Sequence, residues 1–205
     1  MEAKEWQQAS QLIVPPSLHK FLTTESDYLV TEGELVLGQI ASMLKFLAEN
    51  PNLKRCLEIG FNGGRSAATI LSSRPDITLL SVDIGVHPYV LMAKQRIDRF
   101  FPGRHTLVVG DSMQAIPGLA ELFGVSFDFV FIDGGHGEPV PRLDIQNCLR
   151  LCSNQSVFCV DDWCAKYGSG GVNQAIEDFM RTGALLCIER FKSEDRGWGF
   201  FKVGI

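Results

Sequence analysis

The chain has no run of basic residues, and its formal net charge is −5 over 205 residues. A protein that grips nucleic acid through the phosphate backbone needs a basic stripe, so no nucleic-acid partner is expected. No apolar stretch approaches the ~20 residues of a membrane-spanning helix, so no membrane partner is expected either. The first residues, Met1-Glu2-Ala3-Lys4-Glu5-Trp6, are charged and lack the apolar centre of a signal peptide. There is no internal repeat and no low-complexity tract. Disulfide and zinc signatures are also missing. Cys56, Cys148, Cys152, Cys159, Cys164 and Cys187 are scattered, mostly among apolar neighbours. Cys148 and Cys152 lie one helical turn apart, but no His or further Cys completes a zinc set. The pattern reads as reduced, packed thiols in a cytoplasmic protein.

What remains is an ordinary globular composition, 45% hydrophobic and 21% charged. The length fits one domain with a small N-terminal extension. Residues 1–31 read as that extension, helical and broken at Pro15-Pro16. Trp6, Leu12, Ile13 and Phe21 equip it as a lid or as a homodimer contact. Residues 32–205 form the main domain. Thr31 and Glu34 have the spacing of a capping box, and Val36, Leu37, Ile40, Leu44 and Leu47 follow at helical spacing. Asn50-Pro51 ends that helix.

Strand and helix patterns then alternate. Short apolar strands are expected at 55–59, 78–82, 106–109, 127–132 and 156–160. Helices are expected at 66–73, 89–100, 113–123 with an irregularity at Pro117, and 140–151. This alternation implies βαβ units and a mostly parallel sheet. Val172, Ala175, Ile176, Phe179 and Met180 mark one more helix, and runs at 185–188 and 199–203 suit an antiparallel hairpin. The fold class is therefore α/β: a Rossmann-like, doubly wound, mostly parallel seven-stranded sheet with N-terminal helices and a C-terminal antiparallel hairpin.

Chemistry collects where strands end. Leu57-Glu58-Ile59-Gly60-Phe61-Asn62-Gly63-Gly64 follows the first strand and opens a helix, so its glycines suit a tight turn open to a ligand. The spacing is not the Gly-x-Gly-x-x-Gly of dinucleotide sites, which disfavours a nicotinamide oxidoreductase. Glu58 would repel a pyrophosphate and tolerate a cationic ligand with an amino-acid tail. Asp83 ends the second strand, where an acid accepts ribose hydroxyls. Asp111-Ser112 ends the third and can meet an adenine edge. Both acids also suit helix capping. The fourth strand runs into Asp133-Gly134-Gly135-His136, and the fifth into Asp161-Asp162-Trp163.

In order, these motifs resemble the nucleoside-binding motifs of class I S-adenosylmethionine-dependent methyltransferases over roughly residues 32–205. The resemblance implies that Glu58, Gly60 and Gly64 line the methionine and ribose side. It also implies that Asp83 takes the ribose hydroxyls and that Asp111 and Ser112 flank the adenine. The acidic half is similar to the branch of catechol O-methyltransferase-like and macrocin-type sugar O-methyltransferases. That branch implies magnesium or another divalent cation on Asp133, Asp161 and Asp162, with His136 where the catechol enzymes carry a lysine base. Glu138 stands where His-bearing members often have an aromatic residue.

The chemistry suits such a set. Methyl transfer from a sulfonium needs an acceptor oxygen aligned with the methyl carbon and stripped of its proton. A cation chelated by substrate oxygens lowers the hydroxyl pKa, and a neutral imidazole accepts the proton. Oxygen ligands favour Mg2+, with Mn2+ or Ca2+ as alternatives. Asp144 is read as structural, steadying a loop or the second histidine nitrogen. The expected activity is methyl transfer to a hydroxyl of a small-molecule substrate. Two rivals stand beside it: a metal-independent methyltransferase of the same fold, and a catalytically silent nucleoside-binding module. The loop Lys166-Tyr167-Gly168-Ser169-Gly170-Gly171 offers a lid over the substrate.

Overall fold

The structure, a computed structural model, describes residues 14–31, 35–123, 126–164, 170–192 and 195–204. Trp6, Leu12, Ile13, Glu34 and the loop residues 166–169 therefore lie outside the described residues.

Among the described residues, α1 (Pro16–Thr23) and α2 (Leu37–Glu49) precede the first strand. Five βα units follow: β1 (Arg55–Ile59) and α3 (Arg65–Ser73), β2 (Thr78–Asp83) and α4 (Tyr89–Phe100), β3 (His105–Val109) and α5 (Ser112–Phe123), β4 (Phe127–Ile132) and α6 (Val140–Leu149), β5 (Cys152–Asp161) and α7 (Gly170–Arg181). The hairpin β6 (Leu185–Lys192) and β7 (Gly197–Val203) closes the chain. The sheet has seven strands in the order β3-β2-β1-β4-β5-β7-β6. Strands β1 to β5 are parallel, and β7 inserts antiparallel between β5 and β6. Strand order reverses between β1 and β4, so their carboxyl ends diverge and open a crevice. Ile59 pairs with both Val82 and Ile132, which sets the turn after β1 beside Asp83 and Asp133.

Successive strand residues face opposite layers, as the period-2 geometry requires. Cys56, Phe129, Phe131, Cys159 and Phe200 pack toward α2, α3 and α4. Leu57, Val130, Ile132, Phe158 and Phe201 pack toward α5, α6 and α7. On the first face Phe46 of α2 stacks on Phe200 of β7, 4.2 Å between centroids at 12°. Leu18 and Phe21 of α1 join this core, and the Arg96 guanidinium lies 4.0 Å above the Phe21 ring. Tyr28 donates its hydroxyl to the Gly63 carbonyl at 3.1 Å, tying the N-terminal segment to the glycine turn.

Several boundaries differ from the sequence expectation. Helix α2 begins at Leu37, and the Val36 N–H donates to the Gln39 side chain at 2.8 Å. Helix α5 runs on through Pro117, at the expense of the hydrogen bond proline cannot donate. Strand β5 starts four residues early, with Cys152 paired to Phe127, and its exposed polar stretch Ser153-Asn154-Gln155 carries no apolar pattern to mark that start. No helix among the described residues is long and apolar enough to cross a membrane.

Candidate active site

The turn after β1 is built on backbone that only glycine tolerates. Gly60 has φ +89°, and a Cβ there would lie 2.0 Å from the Asp133 carbonyl oxygen. The turn and the end of β4 are thus in direct backbone contact, reinforced by the Asp133 N–H donating to Ile59 O at 2.9 Å. Gly64, at φ +80°, opens α3. Asp83 holds the turn from the neighbouring strand: its Oδ2 accepts the N–H groups of Phe61 and Asn62, both at 2.9 Å. Its Oδ1 accepts Gly85 N–H at 2.7 Å. A carboxylate offers about four acceptor positions, so one remains for a ligand. Asp111 Oδ1 accepts the Met113 N–H at 2.9 Å and so caps α5, which Ser112 begins. Capping and ligand contact are compatible roles for this acid.

A cavity of about 500 Å3 brings Gly60, Asp83, Asp111 and Ser112 together with Asp133, His136, Asp161 and Asp162. Glu58 and Gly64 are not in its lining. Glu58 is fully buried and accepts the Ser81 hydroxyl at 2.5 Å, while Ser81 Oγ lies 2.9 Å from His105 Nε2. Burial pushes the Glu58 carboxyl up to about 7 and the His105 imidazole down to about 4.

The acids after β4 and β5 are crowded. Ligand atoms of Asp133, His136 and Asp162 all lie within 4.8 Å of one another. His136 Nε2 is 2.8 Å from Asp162 Oδ2, and Arg196 Nη1 is 4.0 Å from Asp162 Oδ1. Asp161 is turned differently. Its Oδ1 accepts the Gln39 side-chain N–H and, at 2.8 Å, the Asp162 backbone N–H. The expected acid set therefore shares one cavity, while the tightest cluster has His136 in place of Asp161. Burial, then the charges of Asp161 and Asp162, hold the Asp133 carboxyl well above the usual carboxylate range. Burial and the neighbouring Asp162 push Asp161 up to about 7. The Asp162 carboxylate raises the His136 pKa against the opposing effect of burial. Such crowding disfavours ionised carboxylates unless a cation shares the site. Asp144 is buried, and burial lifts its carboxyl to about 6 against the opposing effect of the Ser112 side chain. It lies behind Gly134, where a Cβ would meet Asp144 Oδ2 at 3.1 Å, and not on His136.

The profile of a methyltransferase-domain family matches residues 57–163, just over half of the 205-residue chain. The chain belongs to this methyltransferase family. Solved structures repeat the fold over nearly the whole length. An O-methyltransferase from Bacillus cereus in complex with SAH is 14% identical, with TM-score 0.78 and 97% of each chain covered. The O-methyltransferase TomG from Streptomyces achromogenes, solved with SAM and involved in tomaymycin synthesis, is 18% identical, with TM-score 0.77 and 100% of each chain covered. SAH-bound methyltransferase PaMTH1 from Podospora anserina is 15% identical, with TM-score 0.76, covering 98% of this chain and 94% of that one. No curated protein matches. At these identities the likeness speaks for the class I methyltransferase fold.

Residues that the motifs do not reveal also line the candidate site or contact its acids and its turn. Gln39, from α2, reaches Asp161 across 122 positions of sequence. His105, which matches no motif, proves to be part of the buried chain with Ser81 and Glu58. His87 and Arg196 line the cavity. None of these carries a local sequence signal. Trp163, beside the acids, is buried and packs, with Arg190 4.7 Å over its ring and Phe201 at 4.9 Å.

Proposed function

We propose that this methyltransferase moves the methyl group of S-adenosylmethionine to a hydroxyl of a small molecule, with a divalent cation, Mg2+ in the simplest case, on Asp133, Asp161 and Asp162. The reading is carried by one observation: three carboxylates and an imidazole share a cavity with the glycine turn, Asp83 and Asp111. The donor set fits a hard cation, because it offers oxygen ligands whose burial and mutual repulsion a positive charge would relieve. A bound cation would acidify a coordinated hydroxyl and fix its orientation.

The remaining roles belong to the chain. Asp83 offers its last acceptor position to the ribose, and Asp111 and Ser112 flank the adenine. Gly60 lets the methionine part approach the backbone, while Glu58 and Gly64 support the turn from outside the cavity. The acceptor oxygen attacks the methyl carbon in line with the C–S bond. The O–C bond forms as C–S breaks, and the sulfonium leaves as a neutral thioether. The hydroxyl proton passes to the His136 imidazole, whose protonated form Asp162 stabilises.

The test is methyl transfer to catechol and sugar acceptors, assayed with Mg2+ and after chelation. Chelation and Asp162→Asn should each lower the rate by about 100-fold or more. The His136–Asp162 contact of 2.8 Å favours a second reading, a metal-independent transfer in which that pair alone is the base. Chelator-insensitive transfer would select it. Failure to bind SAH in calorimetry would exclude both.

A further inference from the structure

Asp161 is 4% exposed, and its Oδ1 receives two donors: the Gln39 side-chain amide and the Asp162 backbone N–H at 2.8 Å. A carboxylate oxygen has two lone pairs, so Oδ1 is fully engaged and only Oδ2 is left for another partner. Gln39 is itself fixed. It is 2% exposed, and its Oε1 accepts the Val36 N–H at 2.8 Å. Flipping the amide would set NH2 against N–H at one end and oxygen against oxygen at the other. Its backbone is also anchored: Ser42 Oγ donates to Gln39 O at 2.9 Å, and Trp198 Nε1 donates to Ser42 Oγ at 2.9 Å. Trp198 lies on β7 directly opposite Asp161 of β5. The two ends of the Gln39–Asp161 contact are thus held in one frame, through the sheet and through α2. Leu35, just ahead of Val36, lines the same cavity.

We infer that Gln39 is a positioning residue of the acidic centre, holding Asp161 by Oδ1 so that it meets a cation through Oδ2 alone. Without the amide, Oδ1 is free to rotate toward the crowded Asp133, His136 and Asp162 cluster, and the ligand set loses its fixed geometry. Partners one step removed from the metal typically contribute 10- to 100-fold in affinity by this means. The inference rests on the cation reading above.

The test is Mg2+ binding by calorimetry to the intact protein, compared among the wild type, Gln39→Met, Gln39→Asn and Leu47→Ala. Methionine keeps the length of Gln39 and removes the amide, and asparagine retracts the amide by one methylene. Leu47→Ala opens a cavity in the core on the same helix and leaves the Gln39 amide and its anchors in place. Both Gln39 variants should bind Mg2+ roughly 10- to 100-fold more weakly. Leu47→Ala should bind like the wild type, although its thermal midpoint falls. Wild-type affinity in both Gln39 variants overturns the inference alone, and so does an equal loss in Leu47→Ala, which would mark a merely structural effect. Absence of Mg2+ uptake by the wild type overturns the cation reading and the inference with it. Gln39→Asn keeps the comparison decisive should Gln39→Met not fold.

Discussion

Glu58 keeps a carboxyl group out of water, with Ser81 donating to it and burial lifting its pKa to about 7. That value lies above the ordinary 4.5, so the folded protein retains a proton that the unfolded chain has released. Stability contributed by this group is therefore present below about pH 4.5 and lost as pH rises toward 7, by roughly 3 kcal/mol if it acts alone. His105 acts in the opposite sense. Its pKa falls to about 4 from 6.5, so its contribution is lost as pH falls through that window. The two partly cancel in the wild type, and a difference between variants separates them. Glu58→Gln should gain on the wild type in urea midpoint between about pH 5 and about pH 8, in the direction and order of magnitude just given. A constant difference across that range would mean that Glu58 does not titrate there.

At the scale of elements, the β1–α3 turn and the end of β4 form one unit. The Cβ that Gly60 lacks would lie 2.0 Å from the Asp133 carbonyl, and φ of +89° already disfavours a side chain. Gly60→Ala must therefore push β1 and β4 apart at the mouth of the cavity. A strained φ alone costs about 1–3 kcal/mol, and the backbone overlap adds to it. The expected result is a loss of roughly 3 kcal/mol or more in urea unfolding, together with weakened SAH binding in calorimetry. Retained SAH affinity in a destabilised Gly60→Ala protein would separate the turn's structural role from its binding role.

For the whole molecule, a ligand that binds the folded state alone raises its stability by mass action. SAH at 100 times its dissociation constant should add about 2.7 kcal/mol, which for a chain of this length raises the thermal midpoint by roughly 5–10 °C. Asp83→Ala removes the acceptor for three backbone amides of the turn and its neighbourhood and the site offered to the ribose. Its midpoint should start lower and move by less than about 2 °C with SAH. A wild-type midpoint unmoved by SAH would count against the donor assignment.

The sheet and its acid-ended strands were legible in the sequence because their causes are local. Buried parallel strands read as short apolar runs, helices as amphipathic periods, and Gly60, Asp83, Asp111, Asp133 and Asp161-Asp162 fall where those runs stop. The antiparallel ending was legible because the strand–helix rhythm breaks after α7. The early start of β5 was hidden, since Ser153, Asn154 and Gln155 are strand residues that face solvent. Period 2 also says that Asp161 and Asp162 point apart, but not which of them joins Asp133 and His136. Tertiary structure decided that, through a glutamine 122 positions away that takes one oxygen of Asp161. It likewise decided that Glu58 lies under the turn with Ser81 and His105, and that Asp144 lies behind Gly134 and away from His136. Local pattern is set by backbone geometry along a few residues. Which polar groups meet in the interior depends on how the layers close over one another, and that is a property of the packed whole.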